Sequence, residues 1–187
     1  MGISGSGRCL TGRIANPPQA ASLHYMALLL LLVFASACKH KVGPTLVEAR
    51  SSFLKMGDEN DGGQLVRGFY GIEGDGWRWA SSKFAIALAK PQEKSSTVEL
   101  KFSLPEIVVN QQGPVTLSAK INGTKLPSQT YSKPGEYTYS TPVPSSVLKS
   151  TNTVEFSTDK AIQPSAQDRR ELALVVVSAG FTDASPH

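Results

Sequence analysis

The chain has 187 residues, with 19 Lys and Arg against 15 Asp and Glu, and its formal net charge is +4 at pH 7. Its two cysteines, Cys9 and Cys38, lie in or beside the N-terminal leader described next, which excludes a disulfide framework and a thiol-ligated zinc site in the folded domain. The sequence contains no block of lysines and arginines of the kind that follows a phosphate backbone, which argues against nucleic acid as a partner.

The stretch Leu28 to Cys38, LLLLLVFASAC, predicts export from the cytoplasm. A short apolar run that ends in small residues is typical of a secretory signal peptide, whereas a membrane-spanning helix needs about 20 apolar residues. A cysteine directly after Ala35-Ser36-Ala37 resembles a bacterial lipobox. We therefore predict a lipoprotein-type signal peptide over residues 1–37 and a membrane anchor through lipidation of Cys38 at the bacterial cell envelope.

The same segment leaves two alternatives open. Ala35-x-Ala37 also fits an ordinary signal peptide, and cleavage after Ala37 would release a secreted or periplasmic protein. Either Met1 or Met26 could be the start, because the segment before Met26 is long for a signal and carries Pro17-Pro18.

Residues 38–66 are expected to hold the anchor and a tether to the folded domain. Within them, Thr45 to Met56 has a weak apolar stripe that suits a short helix. The turn-forming run from Asp58 to Gly63, DENDGG, would end that helix.

From residue 67 to residue 183 the pattern indicates an all-β domain. Apolar and polar residues alternate from Gly68 onward, and turn signals such as Asn122-Gly123 separate the alternating runs. The last run, Leu172 to Val177, is continuously apolar and is expected to lie deep in a sheet. Predicted strands recur about every ten residues, and no long helical pattern lies between them. This spacing predicts an antiparallel β-sandwich that is jelly-roll-like.

The inward-facing positions of the alternating runs give the predicted core. It consists of Phe84, Ile86, Leu88, Val98, Leu100, Phe102, Val115, Leu117, Val154, Phe156, Leu172, Leu174 and Val176.

One segment, residues 68–80 (GFYGIEGDGWRWA), stands out from ordinary strand chemistry because it holds both tryptophans of the chain. Sugar rings stack on exposed aromatic faces while carboxylates bind their hydroxyls, so this composition suits a glycan platform. The candidate ligand-binding residues are Tyr70, Glu73, Asp75, Trp77 and Trp79.

Both tryptophans also have a simpler interpretation, because large aromatic side chains commonly fill a sandwich core. On a strand Trp77 and Trp79 share one face. For Trp79 the core position is favoured. For Trp77, which follows Gly74-Asp75-Gly76, the two interpretations are balanced.

Charged residues before the last strand suggest structural ion pairs. The run Gln167 to Leu174, QDRRELAL, leads into that strand. We expect Arg78 and Arg169 to pair with Glu73 or Asp168, because an arginine–carboxylate fork is a geometrically specific tie between strands.

These motifs together resemble a known family. The pattern begins with glycines, aromatic residues and a glutamate in residues 68–73, followed by Trp77-Arg78-Trp79 and a strand of alternating polarity. It continues with the Asn122-Gly123 hairpin and ends with Asp168-Arg169-x-x-Leu172. It is similar to the small β-sandwich modules found on some bacterial glycosyltransferases and in stand-alone bacterial lipoproteins, from about Gly68 to Phe181. Ala173 stands where a glycine often follows that leucine. The resemblance implies a galactose-binding-like or carbohydrate-module-like fold and carries no catalytic residue.

The sequence favours a binding protein over an enzyme. His24, His40 and His187 all lie outside the predicted domain, so neither a Ser-His-Asp triad nor a histidine metal site can form within it. No metal or cofactor is expected. We predict a non-enzymatic, lipid-anchored envelope protein that binds a glycan or a glycan-handling partner protein.

Two other functions stay open. The first is a structural or assembly lipoprotein that docks on another envelope protein through a sheet face. The second is a small glycoside hydrolase using Glu73 and Asp75, which is disfavoured because the mechanism needs two carboxyls separated across a cleft.

Overall fold

The computed structural model describes residues 49–92 and 96–183, and these residues form a β-sandwich of antiparallel strands. The predictions for the signal peptide, Cys38 and the first part of the tether lie outside the described residues. Among the described residues, no helix is both long enough and apolar enough to cross a membrane.

Ten strands are present in the described part of the chain, and their bounds are as follows. They are β1 (Phe53–Lys55), β2 (Leu65–Glu73), β3 (Trp77–Ala89), β4 (Ser96–Leu104), β5 (Val115–Ile121), β6 (Thr124–Lys125), β7 (Gln129–Tyr131), β8 (Gly135–Val143), β9 (Thr151–Thr158) and β10 (Leu174–Asp183). The helical segments are α1 (Glu106–Gln112) and the 3₁₀ turns Glu59–Gln64 and Ser145–Val147.

Strand β3 connects the two layers of the sandwich. The strand order is β6-β5-β9-β3-β10-β4-β8, with β1 paired to β10, β2 to β3 and β7 to β5. The first residues of β3 pair with β10, where Arg78 lies opposite Val176. Its later residues pair with β9, where Phe84 lies opposite Phe156. The sheet therefore curls, with β10, β4 and β8 in one layer and β9, β5, β6 and β7 in the other.

The core lies between these layers and follows the predicted alternation. Every residue of the predicted core is buried except Leu172, which is half-buried and forms an isolated bridge with Ile162. Tyr139 of β8 meets Phe156 of β9 across the core, with ring centroids 6.3 Å apart. The predicted antiparallel β-sandwich is confirmed.

The Asn122-Gly123 hairpin is also confirmed, between β5 and β6. Asn122 has a φ of 50° and Gly123 a φ of 87°. Positive φ at both central residues is what a type I′ turn requires, and asparagine followed by glycine adopts it at low cost.

The sandwich begins earlier than residue 67, which corrects the predicted tether. Phe53–Lys55 forms β1 and pairs with β10, and Leu54 is fully buried in the core. The short helix predicted up to Met56 is therefore wrong over its described part. Leu54 and Met56 are buried on either side of exposed Lys55, which is the alternation of a strand.

Candidate functional site

A β-bulge in β10 shapes the candidate site. Val176 pairs with Phe102 and Ser178 pairs with Lys101, so Val177 is the extra residue. A bulge places two residues of one strand opposite one of its partner and bends the strand locally. Val177 turns outward and is 48% exposed. The sequence predicted that the apolar run from Leu172 to Val177 lies deep in the sheet, and this prediction is wrong at Val177.

One edge of β10 pairs with β4 on both sides of the bulge, whereas the strand paired to its opposite edge changes there. Before the bulge that strand is β3, and beyond the bulge it is β1. The turn after β1 meets the turn before β3 here, and a Cβ on Gly57 would lie 2.6 Å from the Gly76 Cα. Gly76 also has a φ of 102°. Glycine at both positions allows the two turns to approach this closely.

A groove of about 830 Å³ opens on the outer surface of this junction. Phe53 and Val177 supply apolar surface to its lining. Its charged lining residues are Lys55, Asp58, Glu59, Asp75 and Lys101. An open surface that combines apolar side chains with charged hydrogen-bonding groups of both signs is suited to a polar organic ligand.

The groove continues across the sheet. A second cavity, of about 430 Å³, lies over β4 and β8 and is lined by Ser103, Glu136 and Thr138 among others. It shares Lys101 and Val177 with the groove. The two cavities therefore belong to one surface of the β10–β4–β8 layer.

The turn that borders the groove is fixed by its own acidic side chains. Asp58 Oδ1 accepts hydrogen bonds from the backbone and side-chain amides of Asn60, at 2.9 and 3.0 Å. The Lys55 backbone amide donates to Asp61 Oδ2 at 2.9 Å. Across residues 49–92 and 96–183, no group of three His, Cys, Asp or Glu side chains is placed to hold a metal ion.

Trp77 and Trp79 lie on the outer face of β3, where that strand starts beside the groove. Both are half-buried, and their rings meet edge to face with centroids 6.5 Å apart. Neither is among the half-buried side chains that pack against the core. The core position predicted for Trp79 is therefore wrong, because it is the next residue, Ala80, that faces inward and is fully buried.

Trp77 is held over the turn that precedes it. A Cβ on Gly74 would come within 2.5 Å of the Trp77 Nε1. Gly74 also has a φ of 50°. The absence of a side chain at Gly74 lets the indole ring lie against the backbone of the β2–β3 turn, beside Asp75.

Tyr70 and Glu73 belong to a different cluster, which is centred on Arg170. The guanidinium of Arg170 pairs with Glu73 and, at 2.8 Å, with Asp168. It also lies 5.5 Å from the centroid of the Tyr70 ring, within reach of a cation–π interaction. The Tyr70 hydroxyl accepts a hydrogen bond from the Glu171 backbone amide at 3.0 Å. These contacts join the segment before β10 to β2.

The predicted arginine–carboxylate tie therefore exists, but on a different arginine. Arg169 is exposed and takes part in no ion pair among the described residues. Arg78 donates to the backbone carbonyls of Met56 and Tyr70, at 2.9 and 3.0 Å, rather than to a carboxylate. Hydrogen bonds from Arg170 lower the pKa of Asp168 below its usual value.

The five predicted ligand-binding residues are thus divided by the structure. Asp75 lines the groove, Trp77 and Trp79 lie beside it, and Tyr70 and Glu73 serve the Arg170 cluster. Groove residues that the sequence analysis missed include Phe53, Lys55, Lys101 and Val177.

No family model and no curated protein matches the chain. Among solved structures it is similar to a family 35 carbohydrate-binding module from an environmental isolate, with 16% identity and a TM-score of 0.38 over 75% of this chain and 96% of that chain. It is also similar to a family 36 carbohydrate-binding module solved with calcium and xylotriose, with 8% identity and a TM-score of 0.42 over 70% and 98% of the two chains.

A third similar structure is a family 115 4-O-methyl-α-glucuronidase with specificity for decorated arabinogalactans. It is 9% identical with a TM-score of 0.44, and the match covers 65% of this chain and 16% of that one. This chain therefore spans about a sixth of the glucuronidase. With identities below 25% and TM-scores below 0.5, these likenesses assign no ligand and no site to the chain.

Proposed function

We propose that this chain is a non-enzymatic β-sandwich protein that binds a glycan in the groove at the β10 bulge. The observation that carries the proposal is the composition of the groove, which places exposed Val177 and half-buried Phe53 next to Asp75 and two lysines. A sugar ring has apolar C–H faces and hydroxyl edges. The apolar lining matches the faces, and the charged groups match the hydroxyls as partners in charge-assisted hydrogen bonds.

The two tryptophans support the same proposal. Trp77 follows Gly76, which lines the groove, and neither indole ring is used to fill the core. Aromatic side chains combine a large apolar surface with a polar N–H group, which suits a ligand with both kinds of surface. We propose that a bound oligosaccharide extends from the groove onto this pair.

The position of Glu73 supports a binding role rather than hydrolysis. A glycosidase that used Asp75 and Glu73 would need their carboxyls to face each other across the bound sugar. Glu73 is instead bound by Arg170, and it does not line the groove that Asp75 lines.

We further propose that lipidation of Cys38 holds the sandwich at the bacterial cell envelope. The apolar run and the small residues before Cys38 support this location, with secretion after cleavage at Ala37 as the alternative. Mass spectrometry of the mature N-terminal peptide tests it. An acylated Cys38 is expected, and an unmodified Lys39-containing peptide that starts at Cys38 would contradict the anchor.

The binding proposal is tested with the full chain on a glycan array, followed by calorimetric titration with the oligosaccharide that binds best. Val177→Asp places a charge on the apolar lining and is expected to weaken binding by at least about tenfold. Ile107→Asp is the matched control, because Ile107 is also apolar, is 52% exposed and lies on α1 outside the groove. Trp77→Ala tests the aromatic extension.

Three outcomes would overturn the proposal. These are no binding to any glycan, wild-type affinity in the Val177→Asp variant, and equal losses in Val177→Asp and Ile107→Asp. Wild-type affinity in Trp77→Ala alone would remove the aromatic extension and leave the groove.

A further inference from the structure

The other layer of the sandwich carries a row of charged side chains on its outer face. The strand registers place Lys125 of β6 opposite Lys120 of β5, and Lys120 opposite Glu155 of β9. Glu155 lies opposite Ala85 of β3, and Ala85 lies opposite Arg67 of β2. Residues directly opposite each other in antiparallel strands project from the same face. The row therefore crosses five strands, a span of about 19 Å at about 4.8 Å per strand.

A second row runs beside the first. Lys83 lies opposite Ser157, and Ser157 lies opposite Ser118. The Ser118 hydroxyl is hydrogen-bonded to that of Ser128 at 2.9 Å. Side chains two positions apart along a strand share a face, so these hydroxyls and Lys83 flank the first row.

The charge of this face is strongly unbalanced, with four cations and one carboxylate in the two rows. Arg67 pairs with Glu155. None of the ion pairs found among the described residues includes Lys83, Lys120 or Lys125, and all three lysines are exposed. Like charges directly opposite each other destabilise a strand pair. Packing and stability therefore give no reason for placing Lys120 opposite Lys125.

The face is also concave. A cavity of about 270 Å³ is lined by the cations Arg67, Lys83 and Lys120, by the single carboxylate Glu155, and by Ser118, Phe156 and Ser157. Guanidinium and ammonium groups next to hydroxyls form the donor set that binds carboxylate, sulfate or phosphate oxygens.

We propose that this basic face, Arg67, Lys83, Lys120 and Lys125 with the hydroxyls between them, binds an acidic polysaccharide through its anionic groups. The span of the row exceeds a single monosaccharide, which favours a chain of repeating charges over one small anion. The site lies on the layer opposite to the groove, and the two cavities share no lining residue. It is therefore independent of the proposed glycan groove.

A polysaccharide fits this face better than an anionic bilayer does. A flat lipid surface cannot enter a concave cavity. The exposed large apolar side chains of the described residues are Val66, Ile72, Ile107 and Val177, and none of them lines the cavity. Proteins that lie on membranes insert such side chains next to their basic residues.

The test is a titration of the full chain with polygalacturonate, compared with a neutral dextran of similar length. The double variant Lys83→Gln/Lys120→Gln is expected to bind polygalacturonate about tenfold more weakly. Lys133→Gln/Lys149→Gln changes the net charge equally at two exposed loop lysines and is expected to bind as the wild type does. Equal losses in the two double variants, or equal binding of dextran, would overturn the proposal.

Glu155→Gln provides a test in the opposite direction. It removes the carboxylate from the row and releases Arg67, so polygalacturonate is expected to bind about two- to threefold more tightly. A damaged fold would not produce that gain, and unchanged or weaker binding contradicts the proposal.

Two further measurements distinguish polysaccharide binding at the basic face from membrane binding and from binding in the groove. Binding to phosphatidylglycerol vesicles without binding to polygalacturonate would overturn the proposal in favour of a membrane surface. Val177→Asp in the groove is expected to leave polygalacturonate binding unchanged, so failure of the groove and failure of the basic face give different results.

Discussion

Arg170 shows how much of the fold can depend on one side chain. Its planar guanidinium carries five N–H donors, which lets it bind two carboxylates while its face lies over an aromatic ring. In this protein it binds Glu73 at the end of β2 and Asp168 in the segment before β10, and it lies over Tyr70. Two parts of the chain that are far apart in sequence, β2 and the segment before β10, are held together by that one group.

Replacing Arg170 by alanine is expected to lower the free energy of unfolding by about 1–2 kcal/mol, because two charge-assisted contacts and a ring contact are lost at a partly exposed site. Urea denaturation measures the change. Arg169→Ala is the matched control, and an exposed residue without an ion pair is expected to change stability by less than about 0.5 kcal/mol. Equal effects of the two substitutions would contradict the assignment.

The contact between Arg170 and Asp168 also predicts a pH dependence. Hydrogen bonds from Arg170 lower the pKa of Asp168 in the folded state. A carboxyl with a lowered folded-state pKa stabilises the fold above its unfolded pKa of about 4 and loses that effect as the pH falls through its folded value. The melting temperature of Asp168→Asn should therefore lie below that of the wild type at pH 7, and the gap should narrow towards pH 2.5. A gap that is constant over this range would refute the assignment.

The position of the short strand β1 depends on one buried side-chain amide, that of Gln64. Gln64 is 4% exposed, and its Oε1 accepts from the backbone amides of Arg50 and Ser51 at 3.0 and 2.8 Å. Its Nε2 donates to the carbonyls of Ser51 and Ala87 at 2.9 and 2.6 Å. The side chain thus connects the segment that leads into β1 to β3.

We expect Gln64→Ala to lower the free energy of unfolding by about 2–4 kcal/mol, because the partly buried amides of Arg50 and Ser51 and the buried carbonyl of Ala87 lose their hydrogen bonds to this side chain. Hydrogen exchange should accelerate at the amides of Leu54 and Met56, where β1 would loosen from β10. Gln163→Ala, at an exposed position, is the control. Fast exchange in the control, or protected β1 amides in Gln64→Ala, would show that Gln64 does not hold this strand.

Most strands could be predicted from the sequence, and the exceptions have physical reasons. Long alternating runs specify β3, β4, β5 and β9, because one face of each must be buried. The three residues of β1 are too few to show a period of two, so a weak apolar stripe favoured a helix. The bulge at Val177 lies inside a uniformly apolar run, where hydrophobicity does not distinguish the residue that turns outward.

The candidate site was less predictable than the fold. Nearness in sequence was enough to place the tryptophans beside Asp75 and to suggest an arginine–carboxylate tie. Which of two adjacent arginines makes that tie depends on the path of the segment before β10, and local pattern does not encode it. The groove is lined by residues of β1, the β2–β3 turn, β4 and β10. These elements are far apart in sequence and come together only through strand pairing.

The two layers of the sandwich present two outer surfaces of different chemistry. The groove combines apolar side chains with charges of both signs, whereas the basic face is cationic and lined by hydroxyls. Because the two cavities share no lining residue, occupation of one leaves the other open. The two proposals together therefore predict that the sandwich binds two different segments of glycan at once.

Glycan binding at the β10 bulge can be mapped residue by residue. The measurement is a backbone amide chemical-shift map of the full chain during titration with the oligosaccharide selected on the array. Binding in the groove predicts saturable shifts centred on Lys55, Gly57, Gly76, Lys101 and Val177. Shifts confined to other parts of the sandwich, or an unchanged spectrum at saturating oligosaccharide, would contradict it.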